Sequence, residues 1–287
     1  MTGSVPIGRR DMIAGGLACA AFADRLGART HDAPALRIQR LAWAGIRLQL
    51  PGATLFIDPL IDPDIWGDAL PDRLVAVDDG IGDCFVLLTH NHPDHRDPMA
   101  ISSALSRGGV IAYPSGGSPL GGMGAHIRER PSPLWEPQLL GDFTATPVPA
   151  SDGYGDAQVS WVVSAGGRRI LHGGDTMMHG HWWRIGRQFG HFDAAFLPIN
   201  GARFSWRLPA SEEPAVLTPA QALTAATIIG ARTLIPIHFG VRGAEGYAEM
   251  PRALEMLAQA RTPNSPQVQI LAPGQWLGWQ EPRAEQM

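Results

Sequence analysis

Thr89-His90-Asn91-His92-Pro93-Asp94-His95 places four ligand-type side chains within six positions. The cluster follows directly on Asp83 to Thr89, a continuous apolar run of the kind expected for a strand buried on both faces. A chain leaving such a strand turns and aims alternate side chains into one pocket. His90 and His92 share a parity and can grip one ion, while Asp94 and His95 can reach a second. Imidazole with carboxylate suits borderline divalent ions such as zinc, manganese or iron.

One loop does not complete a metal site, so partners must come from elsewhere. Three later segments share a design, an apolar strand that ends on a ligand residue. Phe143 to Ala150 leads to Ser151-Asp152, Arg169 to His172 leads through two glycines to Asp175, and Leu234 to Ile237 leads to His238. An earlier strand, Ala53 to Ile57, ends on Asp58. Ligands at the same ends of several strands converge on one cleft.

The elements around these segments are strand-rich in the first half and alternate in the second. Strands are expected on both sides of Trp43-Ala44-Gly45 and over Val110 to Tyr113, Gln158 to Ser164, Ala194 to Pro198 and Val268 to Leu271. Helices are expected over Met99 to Ser106, Met178 to Phe189, Ala220 to Ile229 and Pro251 to Ala260. Thr218-Pro219 ahead of the third supplies an N-cap and a first-turn proline. Stacked sheets with helices outside, in one domain, accommodate this order.

Composition narrows the chemistry. All 23 basic residues are arginine. Without lysine there is no Schiff base, no lysine phosphate loop and no lysine general base. The arginines are scattered and the net charge is −4, which gives no pull toward nucleic acid. Cys19 and Cys84 cannot form a thiolate zinc site. No apolar run reaches the roughly 18 residues that span a bilayer. Arg9-Arg10 precede a mild apolar stretch, Met12 to Ala23, that exits through Ala21-Phe22-Ala23. This resembles a twin-arginine export signal. The expected organisation is a signal peptide over 1–30 and a catalytic domain over 31–287, with export to the periplasm; the alternative is a cytoplasmic protein with a ragged N-terminal helix.

Taken together, the HxHxDH loop, Gly174-Asp175-Thr176 and Ile235-Pro236-Ile237-His238 resemble, in this order, the metallo-β-lactamase-fold hydrolases. The likeness spans nearly all of residues 36–280. Phe56-Ile57-Asp58-Pro59, Ser160-Trp161-Val162-Val163 and Phe192 to Ile199 look most like the branch that contains ascorbate-6-phosphate lactonases and the phospholipase D acting on N-acyl-phosphatidylethanolamine. The resemblance implies a four-layer αββα sandwich, two mixed sheets with outer helices. It implies one or two divalent ions, zinc first, with manganese or iron as alternatives. His90 and His92 would bind one ion and Asp94, His95 and His238 the other. Asp175 would bridge them, Asp94 and Asp175 would act in catalysis, and Asp58 would orient the histidine loop.

One departure stands out. Where the family has a third histidine for the first ion, this chain reads Val148-Pro149-Ala150-Ser151-Asp152-Gly153, which makes Asp152 the replacement ligand or a turn former. His179, His181, Tyr154 and Asn200 are candidates to face the substrate. The implied activity is hydrolysis, by metal-activated water, of a small-molecule or lipid-like phosphodiester, lactone or ester. The alternatives are a metal-binding protein with a degenerate site and a di-iron redox protein on the same fold.

Overall fold

The computed structural model describes residues 35–279 except 152, 154, 207 and 210. The export signal over 1–30, Asp152 and Tyr154 lie outside the described residues.

The first sheet has the order β1 (Arg37–Arg40), β2 (Ile46–Leu50), β3 (Ala53–Ile57), β4 (Asp83–Leu87), β5 (Gly109–Pro114), β6 (Ile127–Ser132). Its first three strands are antiparallel, and β3 to β6 run parallel. The second sheet joins β7 (Gln138–Leu140), β8 (Phe143–Pro149), β9 (Val159–Ala165), β10 (Arg168–His172), β11 (Phe192–Pro198), β13 (Ala231–Ile237) and β15 (Gln267–Val268). Strands β10, β11, β13 and β15 are parallel. A two-stranded ribbon pairs β12 (Arg203–Phe204) with β14 (Tyr247–Ala248).

Residue alternation explains the layering. On β4, Phe85 and Leu87 join the core between the sheets, while Cys84 and Val86 face α1 (Pro98–Ala104). On β11, Ala194 and Phe196 point inward, whereas Ala195 and Leu197 pack under α2 (Trp182–Phe189), α3 (Pro219–Ile228) and α4 (Ala253–Gln259). Both faces of each sheet are therefore covered, and the described chain is an αββα sandwich. Trp161, fully buried on β9, donates from its indole to Leu88 O at 2.9 Å and ties the second sheet to the end of β4. A buried aromatic of this size is worth roughly 3–5 kcal/mol against truncation.

Three expectations shift. The helix expected from Met178 begins at Trp182, with His181 at its N-cap position. The last strand covers Gln267–Val268 and stops short of Leu271. Strands β6, β7, β12 and β14 were not anticipated. β6 carries Arg128, Glu129 and Arg130 and lies at the sheet edge, where nothing demands an apolar pattern.

Candidate metal centre

The carboxyl ends of the parallel strands meet at one edge of the sandwich, the place where open sheets of this kind carry their ligand sites. β3 delivers Asp58, β4 the histidine loop, β10 Asp175, β11 Asn200 and β13 His238. Asp58 and His238 hold left-handed backbones, at φ 45° and 55°. Trp43, in the β1–β2 turn, does the same at φ 56°. Such conformations cost on the order of 1–3 kcal/mol each and cluster at functional sites.

Asp58 is buried completely and organises the loop. It accepts the Thr89 backbone N–H at 2.8 Å, the Thr89 hydroxyl at 2.6 Å and His95 Nδ1–H at 2.8 Å. Because the Thr89 hydroxyl donates to Asp58, Thr89 Oγ1 is left to accept His90 Nδ1–H at 2.9 Å. When neutral, both histidines are thereby fixed in the tautomer whose Nε2 carries the lone pair.

Those lone pairs converge on Asp175. Asp175 Oδ1 lies 2.9 Å from His95 Nε2 and 2.7 Å from His238 Nε2, and Oδ2 lies 3.8 Å from His90 Nε2. At these distances hydrogen bonds would be expected, yet Asp175 Oδ1 and all three Nε2 atoms are buried with no hydrogen-bond partner. Two groups fit an ion: Asp94, His95, Asp175 and His238, and His90, His92 and Asp175, with ligand atoms within 4.8 Å of one another in each. Asp175 belongs to both. The site thus fits one or two divalent cations held by nitrogen and oxygen donors.

Electrostatics agree. Burial favours neutral Asp175, but His238 and His95 outweigh it and hold the carboxyl well below the usual range. Burial also opposes charge on His95, and Asp175, Asp94 and Asp58 together push it well above the ordinary imidazole value. His90 is driven far down by burial and by its histidine neighbours. The cluster therefore draws one positive charge toward its carboxylates while keeping His90 neutral.

Gly174 sits at φ 63°, where a Cβ would come within 2.8 Å of the Thr89 side chain. This close approach brings Asp175 against the histidine loop. On the other side, Met177 N donates to Ser151 O at 2.7 Å and Gly153 N to Ala215 O at 2.8 Å. The residues flanking Asp152 are thus tied to the Asp175 turn and to the loop before α3.

Trp43 and Asp156 escaped the sequence reading. Trp43 donates its indole N–H to Asp94 Oδ2 at 3.0 Å and lays its ring 4.0 Å from His238. His92 Nε2 donates to Asp156 Oδ2 at 3.0 Å. Asn200, a candidate, is fully buried and donates to the Tyr247 oxygen at 2.6 Å. His179 and His181 stay outside both ligand groups. His179 accepts the His181 backbone N–H at 3.2 Å and stacks on Trp182 at 4.7 Å. His172 is packed, with Nε2 donating to Ala44 O at 2.8 Å.

Residues 54–239 match the beta-lactamase superfamily domain. A UPF0173 metal-dependent hydrolase of Rubrobacter xylanophilus is 30% identical over 71% of this chain and 81% of its own length. One from Methanoculleus marisnigri is 27% identical over 82% of this chain and 95% of its own. CmlA, a diiron beta-hydroxylase from Streptomyces venezuelae, superposes with a TM-score of 0.65 at 16% identity, over 85% of this chain and 54% of its own, and shows a shared fold. Strand ends that converge on two overlapping His/Asp groups, in a chain similar over most of its length to metal-dependent hydrolases, make this protein a metallo-hydrolase that belongs to the beta-lactamase superfamily.

Proposed function

We propose that the chain hydrolyses a phosphodiester or a lactone or ester at a centre of one or two divalent ions, zinc first. His90 and His92 would hold one ion and Asp94, His95 and His238 the other, with Asp175 shared by both groups. The observation that carries this reading is the set of four buried donor atoms gathered around Asp175, in two groups whose ligand atoms lie close enough to share an ion, without hydrogen bonds. A bound divalent ion supplies an activated water near neutral pH and a Lewis acid for the scissile bond. The residues do the rest. Asp58 and Thr89 lock the imidazole tautomers, Trp43 holds the Asp94 carboxylate, and Asp94 with Asp175 can accept the proton of the attacking water. Asp152 is proposed as the third protein ligand of the first ion, in place of the family histidine; its extra negative charge favours oxygen-preferring metals. The metal-dependent hydrolase relatives favour hydrolysis over di-iron redox chemistry, for which the CmlA likeness supplies only a fold. We also propose export through Arg9-Arg10.

The test is elemental analysis with turnover of bis(p-nitrophenyl) phosphate, a γ-lactone and p-nitrophenyl esters. Asp175→Asn is expected to lose at least one ion and nearly all turnover. Asp152→Ala should empty one site only, and Asp152→His should raise zinc binding relative to manganese. Wild-type metal content and rate in Asp175→Asn would refute the centre.

A further inference from the structure

The two sheets leave a cavity between their edge strands, at the end of the sandwich opposite the metal centre. Its volume is about 530 Å³, within the roughly 300–1,000 Å³ that small-molecule sites occupy. The parallel strands β4, β5 and β6 contribute their amino ends to it, and the turn between β7 and β8 closes the far side with Leu140 and Gly141. None of the proposed metal ligands lines it.

Strand register shows what is unusual here. Phe85, Val110 and Arg128 are paired neighbours across three strands, as are Leu87, Ala112 and Arg130. Paired residues share a face, and the four apolar members all belong to the core between the sheets. Two core-facing rows therefore end on guanidinium groups at the sheet edge, and both groups line the cavity. Glu129, between them, pairs with Ile111 on the other face and accepts the Leu120 N–H at 2.8 Å and the Gly121 N–H at 3.0 Å. Arg107, in the turn between α1 and β5, brings a third guanidinium.

These three groups are available to a ligand. Arg107 donates to Gly80 O, with Nη2 4.0 Å from Cys84 Sγ. Arg130 Nη1 donates to Leu139 O at 3.2 Å and so spans the two sheets. Those bonds hold two of the groups in place and leave most of their five N–H donors unused. Among the described residues the ion-paired arginines are Arg40, Arg47, Arg168 and Arg252, on other parts of the molecule. Of the described lining residues Asp83 alone is acidic, so three fixed positive charges face one negative. Inward-pointing charges on an edge strand also discourage strand addition, a role that suits Arg128 and Arg130. It accounts neither for Arg107 nor for the cavity.

We propose that this cavity binds a soluble phosphate monoester, the phosphate held by Arg107, Arg128 and Arg130 and the organic part laid against Phe85, Leu139 and Leu140. A phosphate monoester carries close to two negative charges, which match the excess of arginine, and its oxygens suit the guanidinium fork. The site is separate from the proposed hydrolase centre and does not depend on it.

The test is isothermal titration calorimetry of the full-length zinc-loaded protein with phenylphosphonate, whose P–C bond a hydrolase leaves intact. Inorganic phosphate and benzoate are titrated beside it. Phenylphosphonate is expected to bind at least about tenfold more tightly than phosphate, through its ring, and than benzoate, through its charge. Arg128 makes no hydrogen bond to a described residue, so Arg128→Ala should weaken binding about tenfold or more at unchanged Tm and zinc content. Arg128→Glu should abolish it, and Arg107→Gln, on a different element, should weaken it to a similar degree as Arg128→Ala. No phenylphosphonate bound, equal binding in wild type and Arg128→Glu, or benzoate bound as tightly overturns the proposal. Aggregation of Arg128→Ala beside a wild type that binds no phosphonate would leave edge protection as the role of these arginines. Binding to vesicles containing phosphatidic acid without binding of phenylphosphonate would likewise overturn the soluble ligand.

Discussion

At Trp43 one side chain serves two proposed ligands, fixing Asp94 through its N–H and His238 through its ring face. Trp43→Phe keeps the ring and removes the donor. Metal affinity is expected to fall about 10–100-fold with unchanged stoichiometry, as for other lost partners of metal ligands; competition with a chromophoric chelator measures it. His179 offers a pH test. Burial, with His181 beside it, lowers its value from 6.5 to about 4. Between those values the unfolded chain holds more protons than the folded one, so stability rises with pH across this window and is lost on acidification. His179→Gln should reduce the fall in Tm between pH 6.5 and pH 4 relative to wild type; an unchanged slope would show that His179 does not contribute. The residues of the histidine loop were legible because their spacing is local. Asp175, His238 and Asp58 were legible because each ends an apolar strand. Trp43 was not, since its partner lies 51 positions away and nothing near it in sequence signals a carboxylate.

The elements obey similar logic. α3 reads plainly because its signals are all within one turn: Thr218 accepts the Gln221 N–H, Gln221 returns a bond to the Thr218 N–H, and Pro219 opens the helix. Thr218→Ala should cost about 1 kcal/mol, measurable by urea unfolding at unchanged m-value. β8, β9, β10 and β13 were visible as apolar runs. The ribbon of β12 and β14 was not, because two-residue strands have no period and their pairing joins segments more than forty positions apart. His181 shows the limit at a helix end: Gly180 and two histidines continue no helical face, so α2 starts where Trp182 and Ile185 can be buried.

For the whole molecule, stacked sheets with helices outside followed from the order of elements, and the four-layer sandwich from the family resemblance. Among the described residues no helix is long and apolar enough to cross a membrane. Replacing Arg9 and Arg10 with lysine is expected to retain the full-length protein in the cytoplasm; fractionation with immunoblotting decides, and unprocessed wild-type protein in the cytoplasm would remove the export proposal.

The proposed ligands are divided between the two sheets, the histidine loop leaving the first and Asp175 and His238 leaving the second. During synthesis the loop emerges early and waits, because the bridging carboxylate and the last imidazole are made only when most of the chain exists. Loading an ion at these residues would therefore be a late event that reports completion. A fragment ending after Gly230 keeps five of the six proposed described ligands and lacks His238. It should release its ion to a chelator that leaves the intact protein loaded. A bound ion would then act as a checkpoint for the finished fold.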